Sequence, residues 1–346
     1  MNSFEYAIAT TIQEAVEMLS THRGETEILA GGTDLLSLMK NFVVTPKRVV
    51  SLKGIRELRG ITASPEGLRI GSMVTLEELH EHPAVHGEYH SLAHAAGSVP
   101  SLQIRNMGTV GGDLCQRPRC WYFRNGFGLL ATDEKDQPLV PAGDNRYHAI
   151  FGHPGGRPGA YYVHASSLAP ALITLGALLK ISGPRGNRDV PIAKFFIRPT
   201  KASEHENVLL ANEIITEIFI PAESKGLRTA TYEVRQKEAL DWPLATASVA
   251  LRMTGNKVKT AQIVLGHVAP VPWPALDAER DLVGQPITEI IASRAGESAV
   301  RGARPLNGNK YKVQLARVAV KRALLAAVAE RKPMAFAQDK EGMRHG

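Results

Sequence analysis

The chain has 346 residues, 44% hydrophobic and 22% charged, a balance that suits two or three folded domains rather than a disordered or fibrous chain. Its net charge of +7 arises from 41 basic residues interleaved with 34 acidic ones, without an aromatic-studded basic tract; this argues against nucleic-acid binding and suits an anionic ligand or an acidic partner. No apolar run approaches the roughly 20 residues that cross a bilayer, and the opening Met1 to Tyr6 carries no basic-then-apolar leader. A cytoplasmic protein without membrane insertion is therefore expected, with export in the folded state beside a signal-bearing partner as the alternative.

In chain order, residues 11–20 read as a helix capped by Thr10 or Thr11, with Ile12, Ala15, Val16 and Leu19 on its apolar face. A short strand over Glu27–Ala30 enters a glycine-rich stretch, Leu36–Met39 forms a turn or short helix, and Arg48–Leu52 is a second strand. These elements make a first subdomain over 1–57. Ile61–Ala63 and Leu68–Gly71 flank a Pro65-Glu66-Gly67 turn and read as a hairpin; Thr75 and Glu78 open a capped helix, and Tyr89–Ala96 forms another. Residues 121–160, rich in Gly, Pro, Asp and Asn, predict turns and short ladders draped over a site. Ala169–Ile181 runs from helix to strand, closing a second subdomain over 58–200 with a loop insertion at 115–163. Strands are expected over Ile214–Pro221, Thr246–Arg252 and Thr260–Gly266, and a long helix within Asn309–Val328. They form a C-terminal α+β domain over 201–330 with antiparallel pairing, followed by a polar tail at 331–346.

Two glycine-rich stretches carry the chemistry. Ala30-Gly31-Gly32-Thr33-Asp34-Leu35 and Met107-Gly108-Thr109-Val110-Gly111-Gly112-Asp113 each set bare backbone beside a small hydroxyl. Such turns hold phosphate oxygens with N–H groups rather than charged side chains. One alone is weak and reads equally as a bare turn. Two in one protein can clamp a diphosphate from both sides, with Asp113 available for a ribityl or ribose hydroxyl, which points to a dinucleotide cofactor. Neither is a Gly-x-Gly-x-x-Gly fingerprint, and no Gly-Lys-Ser/Thr loop is present.

Cys115 and Cys120 are the only cysteines, too few for the four thiolates of a usual iron–sulfur cluster. With His148 and His153 they keep a mixed metal site open, but two reduced thiols in a buried or intersubunit loop is the simpler reading, and no metal is expected. His94, His148, His164 and His267 form no visible base–carboxylate constellation and read as structural histidines, so no catalytic residue is assigned.

The chain resembles the FAD-binding medium subunit of the molybdenum hydroxylases, the carbon monoxide dehydrogenase, xanthine dehydrogenase and aldehyde oxidoreductase group. The resemblance is carried by Ala30–Met39, Ile104–Asp113, Val163–Leu172, Leu265–Trp273 and Asn309–Val320, in order along nearly the whole chain. It implies an α+β protein with a vanillyl-alcohol-oxidase-type (PCMH-like) FAD-binding fold of two α/β subdomains and a C-terminal α+β domain. It also implies that Ile28 and Ala30 to Leu35 wrap the pyrophosphate, with Thr109, Gly111, Gly112 and Asp113 meeting it from the other side. Ser166 and Ser167 fall where the family commonly has Ser-Asp, Ile215 where it has an aliphatic residue near the cofactor, and Tyr232 and Trp242 in the segment approaching the flavin. His267 stands where members often have glycine.

The stretch Arg117–Arg124 is similar to the aldehyde oxidoreductase branch, whose flavin subunit carries a [4Fe–4S] cluster in this insertion. No cysteine follows between Asn125 and His164, so the insertion is retained and the cluster lost; Arg117, Arg119 and Arg124 then hold the loop or face a partner. The implied partners are a small [2Fe–2S] subunit and a large molybdopterin subunit, with electrons passing through FAD to an acceptor that the residues do not identify. Competing readings are a self-contained FAD oxidase of a small alcohol, and an assembly scaffold that has lost FAD.

Overall fold

A computed structural model describes residues 1–237 and 241–329. The expected polar tail at 331–346 lies outside the described residues.

The first subdomain is a three-stranded parallel sheet, β1 (Glu5–Ile8), β2 (Thr26–Leu29) and β3 (Arg48–Ser51), with β3 in the middle. Flanked on both sides, β3 presents Val49 and Val50 wholly buried, as a continuous apolar run in a parallel sheet should. The helix Ile12–Met18 starts as its sequence predicts: the Thr11 side chain accepts the Glu14 amide at 3.1 Å. β2 delivers the first glycine turn at its carboxyl end, the end where open parallel sheets take up ligands.

The second sheet is antiparallel in the order β4 (Ile61–Ser64), β5 (Gly67–Gly71), β8 (Ile214–Pro221), β6 (Leu178–Gly183) and β7 (Gly186–Pro191). Central strand β8 lies beyond residue 200, so this sheet reaches further along the chain than the sequence pattern placed its end. A complete Thr75/Glu78 capping box opens the helix Leu76–Glu81. That helix, with His90–Gly97 and Leu168–Thr174, buries Leu79, Leu92 and Leu172 in one core with Ile70 and Ile218 of the sheet.

The C-terminal sheet is β9 (Arg228–Val234), β10 (Ala245–Thr254), β11 (Lys257–Gly266) and β12 (Trp273–Pro274), antiparallel in the order β12-β11-β10-β9. The helix Tyr311–Val328 covers it through Ala316, Ala319, Val320, Ala323, Leu324 and Ala327, all fully buried. This row of small residues brings helix and sheet close enough to pack without voids.

Between the second glycine turn and the helix Leu168–Thr174, the insertion forms two short helices, Trp121–Arg124 and Leu139–Ala142, and one isolated bridge, Thr132 to Pro138. Its own small core is Ala131, Val140 and Tyr161. A wholly buried lysine ties it to the C-terminal domain. Lys312 Nζ donates to the carbonyls of Tyr147 and His148, both at 3.2 Å, and of His267 at 2.7 Å. Asn309 Nδ2 adds bonds to the carbonyls of His148 at 3.1 Å and Ala149 at 3.3 Å.

His267 adopts φ 61°, in the left-handed region that favours glycine. Its ring offsets that conformation with two buried bonds: Nδ1 to the Thr246 hydroxyl at 3.0 Å and Nε2 to the Ala165 carbonyl at 3.2 Å.

Candidate cofactor cleft

The two glycine turns, more than seventy residues apart and in different subdomains, touch each other. A Cβ on Gly31 would overlap the main-chain carbonyl of Met107 and lie 3.1 Å from the Gly108 Cα. Gly32 follows at φ +79°, a conformation that side-chain-bearing residues rarely hold. Where the turns meet they border a cleft of about 280 Å³.

The turns are not equivalent. Among the described residues, the amides of Gly31, Gly32, Thr33, Asp34 and Leu35 donate to no acceptor in the protein, although four-fifths of this stretch is only partly exposed. Five successive free N–H groups at the rim of a cleft form an anion-binding concavity. In the second turn the amides from Val110 to Asp113 are already engaged. Val110 donates to Val74 at 2.8 Å, Gly111 to Ser72 at 2.9 Å, Asp113 to the Thr109 carbonyl at 2.8 Å, and Gly112 to Thr109 Oγ1 at 3.1 Å. This turn offers space, the Thr109 amide, which donates to no acceptor among the described residues, and one hydroxyl proton. A Cβ on Gly112 would meet Thr109 Oγ1 at 2.9 Å and nothing else within 4 Å, so the position borders the opening itself. Thr109 Oγ1 accepts from Gly112 and keeps its own hydrogen to donate.

Of the residues that the sequence singled out, Ile28, Ala30, Gly31, Gly32, Thr33, Asp34 and Leu35 line the cleft on one side. Thr109, Gly111, Gly112 and Asp113 line the other, with Ser167, Ile215 of β8 and Trp242 completing the wall. Two are elsewhere. Ser166 is fully buried behind the wall, where its hydroxyl donates to Asp113 Oδ2. Tyr232 sits on β9 opposite Ala247, 36% exposed and outside the cleft lining.

Asp113 also accepts the Leu168 amide at 3.3 Å and Gln116 Nε2 at 2.8 Å. Burial pushes its carboxyl up to about 6, against the pull of the Ser166 hydroxyl. Burial likewise raises the Cys115 thiol in the cleft wall to about 12, so it is an inert protonated thiol at neutral pH.

Sequence reasoning missed the far wall, formed by Ser72, Met73 and the stretch from His205 to Ile214, and the basic residue Arg23 ahead of β2. No motif marks these positions, which are brought in by the second sheet and the chain leading to β8. The insertion's arginines, expected to hold the loop, do so through two acidic groups. Arg124 Nη2 donates to Asp34 Oδ1 at 2.8 Å, Arg119 Nη1 approaches the same oxygen at 3.2 Å, and the Arg117 amide donates to Asp34 Oδ2 at 2.8 Å. The Arg117 side chain pairs with the buried Glu206. Arg119 stacks over Trp242, its Cζ 4.1 Å from the ring centre.

No group of three or more His, Cys, Asp or Glu among the described residues is arranged to hold a metal ion, and no helix there is long and apolar enough to cross a membrane. Free main-chain donors, an unobstructed glycine cradle and a spare hydroxyl are a donor set that fits the diphosphate of FAD.

Comparison with known proteins gives the same answer. Residues 2–223 match the family described as the FAD binding domain in molybdopterin dehydrogenase, and residues 230–327 match the CO dehydrogenase flavoprotein C-terminal domain. The carbon monoxide dehydrogenase medium chain of Hydrogenophaga pseudoflava is 30% identical over 94% of this chain and 97% of its own. The aldehyde oxidoreductase FAD-binding subunit PaoB of Escherichia coli K12 is 29% identical over 97% of this chain and 100% of its own. The fold superimposes on carbon monoxide dehydrogenase from H. pseudoflava lacking the Mo-pyranopterin moiety, with a TM-score of 0.72 and 28% identity over 94% of this chain and 97% of that one. The architecture is thus the PCMH-like α+β fold of these flavin subunits, and the chain belongs to the FAD-binding family of the molybdopterin dehydrogenases.

Proposed function

We propose that this chain is the electron-transfer flavin subunit of a multi-subunit molybdenum hydroxylase. It receives electrons from the [2Fe–2S] clusters of a small subunit and delivers them to a terminal acceptor, while a large molybdopterin subunit oxidises the substrate. The medium-chain relatives, named as parts of such dehydrogenases, support this assembly. When bound, FAD supplies reversible electron uptake and release.

The observation that carries the reading is the contact of Gly31 with Met107 and Gly108, which sets five free amides opposite the Thr109 hydroxyl across one cleft. The amides of Gly31 to Leu35 hold the anionic centre of the cofactor. Thr109 donates its remaining hydrogen from the other side, and Gly111 and Gly112 keep the approach clear. Asp113 and Ser167 offer polar contacts, while Ile28, Ile215 and Trp242 give apolar cover that excludes water.

Both cysteines are free thiols, which suits a reducing compartment, and the proposal places the complex in the cytoplasm. The deciding experiment is anaerobic flavin reduction. In the co-purified complex, flavin absorbance should bleach on addition of the complex's oxidisable substrate, whereas the isolated FAD-loaded chain should not respond to small alcohols. Rapid bleaching of the isolated chain by an alcohol would establish a self-contained oxidase instead, and a colourless chain that still assembles would establish a scaffold.

A further inference from the structure

Four arginines surround the first glycine turn, and three are committed to the protein. Arg23 donates to the Leu209 carbonyl, Arg117 to Glu206, and Arg124 to Asp34, Pro118 and Arg117. Arg119 differs. Among the described residues its only polar partners are long, Asp34 Oδ1 at 3.2 Å and Gln116 Oε1 at 3.3 Å, and its buried Nε has none there. A guanidinium has five N–H donors, and leaving most of them unmet inside a protein is costly. Asp34 does not depend on it either, since Arg124 and the Arg117 amide already hold both carboxylate oxygens. Arg119 nevertheless lines the cofactor cleft, fixed there by stacking on Trp242.

We propose that Arg119, a residue outside both glycine turns, donates a charge-assisted hydrogen bond to an acceptor oxygen of FAD. Two oxygens of the cofactor share this chemistry, a diphosphate oxygen and a ring carbonyl. The inference rests on FAD occupying the cleft between the turns. Burial already disfavours the charge on Arg119 relative to water, so an anionic or strongly accepting oxygen brought beside it offsets a penalty that the protein leaves standing.

The test is FAD titration onto the flavin-depleted full chain, read by quenching of flavin fluorescence. Arg119→Gln should weaken FAD binding about ten- to hundredfold, the range of one charged hydrogen bond. Arg119→Lys, which keeps the charge but loses the planar fork, should weaken it about three- to tenfold. Arg146→Gln, which breaks an exposed ion pair with Asp144 in the same insertion and away from the cleft lining, should stay within about threefold of the unmodified chain.

Competition separates the two oxygens. If the acceptor is the diphosphate, Arg119→Gln also weakens ADP and leaves riboflavin unaffected; if it is the ring, riboflavin weakens and the flavin absorbance shifts. Unchanged FAD affinity in either Arg119 variant overturns the inference, as does an equal loss in Arg146→Gln. Should Arg119→Gln not fold, the lysine variant decides by the same criterion. Failure of the unmodified chain to take up FAD would instead overturn the cleft as the FAD site.

Discussion

Arg124 Nη2 reaches 90 residues back along the chain to donate to Asp34 Oδ1 at 2.8 Å, fastening the insertion to the end of the first glycine turn. Their side chains are only 17% and 15% exposed, so the pair is screened little by solvent. Asp34→Ala strands the Arg124 and Arg119 guanidinia without their shared carboxylate. The expected cost is about 3 kcal/mol, the scale for breaking a largely buried pair from one side. Urea unfolding would measure it, and limited proteolysis should cut the exposed stretch 133–137 of the insertion faster than in the unmodified chain.

The two glycine turns separate folding from binding. Gly31→Ala sets a methyl against the Met107 carbonyl, a main-chain atom that cannot swing away, so the turns must part. A destabilisation of about 1–3 kcal/mol and loss of copurifying FAD are expected. In Gly112→Ala the new methyl meets only Thr109 Oγ1, at 2.9 Å, and otherwise faces open space. That variant should unfold within about 1 kcal/mol of the parent yet bind FAD more weakly. Flavin content equal to the parent's in either variant would contradict the assignment of the cradle.

Lys312 donates to three carbonyls from two loops, sharing that of His148 with Asn309. Burial pulls its ammonium down to about 7, while the carbonyl cage favours the charged form. Lys312→Met takes this donor from the Tyr147 and His267 carbonyls and leaves that of His148 to Asn309 alone, at an expected net cost of about 2–4 kcal/mol. Thermal unfolding followed by circular dichroism would register it; a variant as stable as the parent would show that the cage is not needed.

His267 sets an acid limit. Its two bonds suit the neutral ring, with Nε2 donating to the Ala165 carbonyl and Nδ1 accepting from the Thr246 hydroxyl, and burial lowers its pKa to about 4. Burial lowers His164 further, to about 3. Because the folded values lie below the unfolded value near 6.5, the unfolded state binds more protons in acid. Stability is therefore full above about pH 6.5 and falls as pH drops toward 4, by about 1.4 kcal/mol per unit for each histidine. His267→Gln should lower that slope by one proton's worth between pH 6 and 4.5, measured from urea midpoints across the range.

Much of this protein was legible before its structure. The Thr11 and Thr75 caps, the hairpin around Pro65-Glu66-Gly67 and the alternation of Ile214 to Pro221 are local signals, set by contacts within a few residues, and each element stands where they put it. The helices Leu102–Met107 and Val110–Leu114 are capped by Ser101 and Thr109, but they and the edge strand Glu5–Ile8 show no periodicity of their own. Flanked by glycines or too short for a period, they are stabilised by neighbours distant in sequence.

The site divides along the same line. The amino-acid order alone determined that bare backbone and small hydroxyls occur twice, because glycine's freedom and threonine's donor are properties of single residues. Only the tertiary structure decided that the first turn keeps its amides free while the second spends those of Val110 to Asp113 on Val74, Ser72 and Thr109, and that Arg119 lies in the cleft while Tyr232 lies outside it. Whether a donor is open depends on which acceptors long-range packing brings beside it, and no local pattern encodes that.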